Sequence, residues 1–153
     1  LERATQEAQH AAPLREDDLA AIDTIASSLA LHDGRNEEAA SAINQAIDHW
    51  KHAHGPGYFM LGTGYILRAE VLGKSGDYPH ALADARQALA IAEATIGRNT
   101  FAYATVENAY AQILRASGAK EEAARLRKEA TGALADLELR SCNGCTINAS
   151  GFR

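Results

Sequence analysis

The sequence is poor in the residues on which several classes of protein depend. Its two cysteines both lie among the last twelve residues, so they cannot supply the disulfide framework of a secreted mini-domain. No apolar run approaches the roughly 20 residues that a membrane-spanning helix needs. The fold therefore has to rest on an apolar core, and we expect no membrane partner.

A basic excess is also missing. The chain carries 15 Lys and Arg against 20 Asp and Glu, which gives a net charge of −5. Proteins that hold DNA or RNA through its phosphates usually carry the opposite excess, so we expect no nucleic-acid partner. A cytoplasmic location is favoured over the other compartments.

Signatures of catalysis are absent from the sequence as well. It contains no Gly-rich phosphate loop, no nucleophile elbow and no His-Glu-x-x-His pair. The carboxylates of Glu121, Glu122 and Glu129 lie among Arg125, Arg127 and Lys128 at helical spacing, which indicates a solvated, ion-paired face. The sequence predicts a protein that is not an enzyme and needs no cofactor.

What the chain does contain is a repeat of 42 residues within a composition typical of one folded domain, 46% hydrophobic and 23% charged. Small residues recur in the same frame three times, where two helices would have to approach closely. They are Gly34, Gly76 and Gly118; Ala39, Ala81 and Ala123; Ala46, Ala88 and Ala130; and Ser27, Ala69 and Ala111. A fixed period of this length is typical of helical repeat arrays.

Each copy is predicted to form two helices. In the second copy a helix from about Tyr58 ends at Gly76, which can take the left-handed conformation of a helix stop. Asp77 then caps the next helix, with Pro79 in its first turn, and this helix continues toward Gly97. The other copies follow the same plan, with helices at about 15–31, 37–52, 100–116 and 121–139.

The predicted fold is an all-α array of antiparallel helix pairs with about seven helices, because strand signals are weak. The helical repeat domain covers residues 1–139. It consists of a partial repeat at 1–13 and of repeats at about 14–54, 55–96 and 97–139. Residues 140–153 are predicted to form a C-terminal tail.

The repeat frame resembles that of the tetratricopeptide repeat. The resemblance is carried by Ala69, Leu72, Gly76, Tyr78, Ala81 and Ala88. The 42-residue spacing, the segment 88–97 and the link at 55–57 are similar to the kinesin-light-chain variety of this repeat. The resemblance implies a right-handed superhelical array, an α-solenoid, in which the first helix of each pair lines a concave groove.

The third copy departs from this frame at two positions. Lys120 stands where the second copy has Tyr78, and Arg127 stands where a large apolar residue is usual. We therefore expect the second helix of this copy to pack less tightly or to end the array.

The resemblance also implies that a protein or peptide partner lies in the groove. By register, the groove-facing residues of the first copy are Thr24 and Ser28. Those of the other two copies are Thr63, Ile66, Glu70, Lys74, Thr105, Asn108, Gln112 and Arg115. Asn108 is the strongest single candidate, because an amide both donates to and accepts from a peptide backbone.

Three functions follow as hypotheses. The first is a non-catalytic scaffold for protein–protein interaction that binds its partner in the concave groove. The second is self-assembly into a homo-oligomer through the exposed ends of the array, as a module of a larger regulatory protein. The third is a redox or metal-linked role for the paired cysteines of the tail.

Two groups of metal-ligating residues are candidate sites. His49, His52 and His54 share a helix end, but no further ligand joins them at a recognised spacing, so a surface histidine cluster is the preferred interpretation. Cys142 and Cys145 have the spacing of a redox dithiol or of half a zinc site, but neither the thioredoxin context nor four ligands are present. We expect a turn, reduced or disulfide-closed, at these cysteines and no metal.

The helix near residue 65 contains Gly62, Gly64 and Gly73, although each interior glycine costs about 1 kcal/mol relative to alanine. Such glycines allow close approach of a ligand or of a neighbouring helix. We prefer packing against a neighbouring helix, beneath Trp50.

Overall fold

The computed structural model describes residues 14–98 and 100–142. These residues form six α-helices, and no strand occurs among them. The helices are α1 (Glu16–His32), α2 (Asn36–His54), α3 (Met60–Lys74), α4 (Tyr78–Ile96), α5 (Phe101–Ala116) and α6 (Lys120–Cys142). The predicted helix within residues 1–13 lies outside the described residues, and α6 extends to Cys142, beyond the predicted helix end at 139.

The connections between the helices repeat every 42 residues. Gly34, Gly76 and Gly118 have positive φ angles of 76°, 84° and 95° and follow α1, α3 and α5. Gly55 and Gly97, both with φ of 78°, follow α2 and α4. Glycine enters this left-handed region without a steric penalty, so the same turn is available at the same place in each copy.

The helix starts depend on local caps. The carboxylate of Asp77 accepts a hydrogen bond from the backbone N–H of His80, and Pro79 lies in the first turn of α4, as the sequence predicted. At the start of α5 the hydroxyl oxygen of Thr100 accepts from the backbone N–H of Tyr103. Each cap satisfies one of the N–H groups that the first turn of a helix leaves without a partner.

Each helix packs on the next one along the chain, and the array is curved. The helices α1, α3 and α5, here called the first helices, contact one another in succession. The second helices α2, α4 and α6 do not contact one another within the part of the chain that the structure describes. Neighbours on the inside of a curved stack lie closer than those on the outside, so the first helices line the inner face.

Two apolar clusters hold the array together. One contains Ile43, Ile47 and Trp50 of α2 with Leu61 and Tyr65 of α3. The other joins α3, α4, α5 and α6 through Ala69, Ala81, Ala85, Tyr110, Ile113, Leu114 and Ala123. Because these clusters link consecutive helices, the core is continuous along the stack, which confirms the predicted all-α repeat architecture.

The glycines of α3 differ in their surroundings. A Cβ atom on Gly64 would lie 2.8 Å from Cγ1 of Ile47 and 3.2 Å from Cζ3 of Trp50, so this glycine permits the close packing expected beneath Trp50. A Cβ on Gly62 would be in ordinary contact with α4, 3.5 Å from the carbonyl oxygen of Ala88. A Cβ on Gly73 would meet no neighbouring element within 4 Å, so close packing does not explain this glycine.

We expect alanine to have opposite effects at Gly64 and Gly73. Gly64→Ala forces Ile47 and Trp50 apart, which typically costs about 1–3 kcal/mol and outweighs the gain in helix propensity. Gly73→Ala meets no neighbour and is expected to stabilise by up to about 1 kcal/mol. Urea unfolding of the two variants measures both changes, and a stabilising Gly64→Ala would contradict the packing described for α2 and α3.

Candidate functional site

The residues predicted to face the groove lie on neighbouring helices of the inner face. Thr63, Ile66, Glu70 and Lys74 belong to α3, and Thr105, Asn108, Gln112 and Arg115 belong to α5. We call these eight residues the inner stripe. All are exposed except Ile66, which is half-buried and packs against both apolar clusters. The inner stripe is thus a mainly polar surface on two helices that touch each other.

The hydroxyl groups of the inner face are directed into their own helices. Thr105 donates from Oγ1 to the carbonyl oxygen of Phe101, 2.9 Å away. On α1, Thr24 donates to the carbonyl of Ala20 at 2.7 Å, and Ser28 donates to the carbonyl of Thr24 at 3.0 Å. With the donor occupied, each of these oxygens remains available as an acceptor for a partner's N–H groups.

Glu70 is the one acidic group of the inner stripe. Its side chain is exposed, yet the protein around it removes part of the water from the carboxylate, and this desolvation raises its pKa. Lys74, one turn further along α3, opposes the shift. An exposed side chain that is still partly desolvated is what a concave surface produces.

The largest groove lies at the end of the array, between α5 and α6, and has a volume of about 1070 Å³. We call it the end groove. One wall carries Asn108, Ala111, Gln112 and Arg115 of α5, and the other carries Lys120, Ala123, Arg127, Lys128 and Thr131 of α6. The structure therefore divides the inner stripe, because three of its residues line the end groove and the other five do not.

Sequence reasoning did not identify the α6 wall as part of a site. Lys120 and Arg127 stand out in the sequence only as departures from the repeat frame, and that departure was the available signal. The expected ion-paired face on α6 is wrong for the described side chains. Arg115, Lys120, Arg127 and Lys128 form no salt bridge with any carboxylate that the structure describes.

A polar contact recurs where one repeat meets the next. Asn44 of α2 accepts a hydrogen bond through Oδ1 from Nη1 of Arg68 on α3, at 3.0 Å. Arg86 of α4, which is 42 residues after Asn44, donates from Nε to the hydroxyl of Tyr110 on α5, at 3.1 Å. Tyr110 is in turn 42 residues after Arg68. The same position of a second helix thus reaches the same position of the following first helix at both boundaries.

The histidines near the end of α2 connect α2 with α1. His49 lies within 2.5 Å of Glu16 and 3.5 Å of Asp23, and His54 lies 2.7 Å from Asp17. The ring of His54 also stacks on Tyr58, with centroids 4.0 Å apart. Among residues 14–98 and 100–142, no three metal-ligating side chains are grouped to hold an ion. Cys142 is the last residue of α6, and the predicted turn to Cys145 lies outside the described residues.

Glu107 of α5 is a buried carboxylic acid with only 8% of its surface exposed. Burial raises its pKa, Glu129 of α6 raises it further, and Arg98 opposes the shift. Because the folded-state pKa lies above the ordinary value, the protonated form is the one that the fold favours. Its stabilising effect is complete below the ordinary pKa of a glutamic acid and is lost as the pH rises through the raised value.

We expect Glu107→Gln, which imitates the protonated acid, to raise the free energy of unfolding at pH 7. The gain over the wild type should disappear below about pH 4, where the acid is protonated in both folded and unfolded chains. Thermal unfolding measured across this pH range tests the expectation. Glu129→Gln serves as a comparison and should give a smaller gain, because it removes the repulsion and leaves the carboxylate buried. A gain for Glu107→Gln that persists at pH 3 would contradict the assignment.

Comparison with known proteins gives one match. The family model described as tetratricopeptide repeat matches residues 18–94, half of the chain. No curated protein matches the sequence. None of the described helices combines the length and the apolar character needed to cross a membrane.

Proposed function

Because the chain belongs to the tetratricopeptide repeat family, whose repeats generally mediate protein–protein interaction, we propose that it is a non-catalytic scaffold that binds a protein or peptide on its inner face. Contact between successive first helices carries this proposal. It joins the polar residues of α3 and α5 into one surface long enough for an extended or helical peptide.

The chemistry of the inner stripe supports binding rather than catalysis. Asn108 and Gln112 offer exposed amides that both donate and accept, and Glu70 and Lys74 offer charges of opposite sign. The proposed partner is therefore protein or peptide, and with a net charge of −5 the chain is not suited to nucleic acid.

We further propose that the repeats are of the kinesin-light-chain variety, with the 42-residue divisions at about 14–54, 55–96 and 97–139. The two series of positive-φ glycines support this assignment, because they place both turns of every repeat at the same spacing. The partial repeat at 1–13 and the tail at 140–153 complete the proposed organisation.

Self-assembly is a second candidate, and the face of α1 favours it. Ile22, Ile25 and Leu29 are 52%, 62% and 59% exposed. The residues 42 and 84 positions after Leu29 are Val71 and Ile113, and both are buried. The exposed stripe of α1 is thus the side that first helices turn toward the preceding repeat. A molar mass that rises with protein concentration would support assembly through this face.

The scaffold function is tested by quantitative affinity capture from the source cells. We expect partners retained by the wild type to be lost from a Glu70→Ala/Lys74→Ala variant, an Asn108→Ala/Arg115→Ala variant, or both. Gln45→Ala/Gln87→Ala changes exposed amides of the second helices and serves as the matched control, which should retain them. Equal retention by all three variants would contradict binding on the inner face.

A further inference from the structure

We propose that the end groove binds an acidic amphipathic helix of a partner protein, in the position that α3 and α5 occupy on the repeats before them. This inference rests on the proposed scaffold function and adds a second binding surface and the chemistry of its ligand. It follows from the repeat register, from the charge of the groove and from one recurring polar contact.

The register shows what shape of ligand the end groove fits. Ala123 and Arg127 of α6 correspond to Ala81 and Ala85 of α4, which are fully buried in the cluster that α5 completes. They also correspond to Ala39 and Ile43 of α2, which are equally buried. In both earlier repeats a first helix covers these positions. The end groove therefore has the dimensions of one helix, and its α6 wall from Lys120 to Ala135 is about 22 Å long.

The charge of the groove distinguishes it from the earlier boundaries. Four cationic side chains, Arg115, Lys120, Arg127 and Lys128, line it without any acidic residue. At the preceding boundary the corresponding residues are Gly73, Tyr78, Ala85 and Arg86, so three cations have been added. The alanines at 111, 123 and 124 leave an apolar floor between them. A helix with small apolar residues on one face and carboxylates on its flanks complements this surface.

The recurring polar contact supports the same ligand. Asn44 and Arg86 each bond to a side chain of the following first helix, and Lys128 is the next member of this series. An ammonium group only donates hydrogen bonds, so the matching position of the bound helix has to present an acceptor. A carboxylate is the acceptor that also satisfies the charge.

The test uses a fluorescein-labelled peptide of about 18 residues built from Ala, Leu and Glu, whose length matches the groove. A second peptide carries Gln in place of Glu. We expect the Glu peptide to bind the full-length chain, to bind more weakly as salt is added, and to bind the Arg127→Glu variant at least about tenfold more weakly. Arg125→Glu is the matched control on the same helix, because Arg125 is exposed and does not line the groove. It should bind like the wild type.

Equal binding of the Gln peptide, an equal loss in Arg125→Glu, or no binding of the Glu peptide would overturn the proposal. Two of the possible causes can be recognised. If Ile147→Asp/Phe152→Asp binds the peptide and the wild type does not, the tail of the chain occupies the groove. If the wild type self-associates and Arg127→Glu does not, a second copy occupies it. Should the peptide fail to bind while the captured partners are retained by Arg127→Glu, the scaffold function stands and only this inference falls.

Discussion

Replacing Trp50 by alanine is expected to lower the free energy of unfolding by about 3–5 kcal/mol, the usual range for removing a large buried aromatic side chain. Trp50 is 3% exposed and lies in the cluster that joins α2 to α3. Domains of this size are commonly stable by only about 5–15 kcal/mol, so this variant should be partly unfolded at physiological temperature. Urea unfolding followed by circular dichroism measures the loss.

The close approach at Gly64 makes the Trp50 expectation more specific. Since a Cβ on Gly64 would meet both Trp50 and Ile47, shortening Trp50 should relieve part of the strain in Gly64→Ala. We therefore expect the double variant Trp50→Ala/Gly64→Ala to be more stable than the sum of the two single changes predicts. Strict additivity would show that the two residues do not share a contact.

Removing the guanidinium of Arg68 is expected to cost about 3 kcal/mol, because it leaves a nearly buried carboxylate without a partner. Arg68 binds Asp84 of α4 through two hydrogen bonds of 2.6 and 2.8 Å, and Asp84 is only 8% exposed. The same guanidinium reaches Asn44 of α2 and lies over the ring of Tyr65. Arg68→Ala thus weakens the contact between two repeats as well as the pair itself.

The chain itself offers a replacement for this ion pair. The positions of Arg68 and Asp84 are taken by Tyr110 and Leu126 in the third repeat. Replacing a buried pair by apolar residues of similar volume is often neutral or stabilising, so Arg68→Tyr/Asp84→Leu should recover most of the stability lost in Arg68→Ala. If the double variant is as unstable as Arg68→Ala, the loss does not come from the unpaired carboxylate.

The fold was predictable from the sequence because the features that determine it are local and repeated. Gly76, Asp77 and Pro79 specify a helix stop, a cap and a helix start within four residues, and the glycine stop recurs at 42-residue intervals. The bond between Arg68 and Asp84 could not be predicted in this way. The other two repeats have Ala26 with Ala42 and Tyr110 with Leu126 at these positions, so the repeat frame carries no signal for an ion pair.

The candidate site was predictable only in part. Register alone places Thr63 and Thr105 on corresponding turns of α3 and α5, where the structure has them exposed. It does not distinguish Ile66, which is half-buried in the core, from its exposed equivalent Asn108. The end groove was missed because it depends on which helix follows α6, and a periodic pattern treats every repeat as if it were followed by another.

Site-specific photo-crosslinking in the source cells tests most directly whether the inner face binds a partner protein. A photoreactive amino acid is placed at Thr63, at Thr105 or at Gln87, an exposed residue of the second helix α4. We predict that the chains labelled at Thr63 and Thr105 crosslink to the same protein and that the chain labelled at Gln87 does not. Crosslinking of that protein at Gln87 alone, or equally at all three positions, would contradict the account.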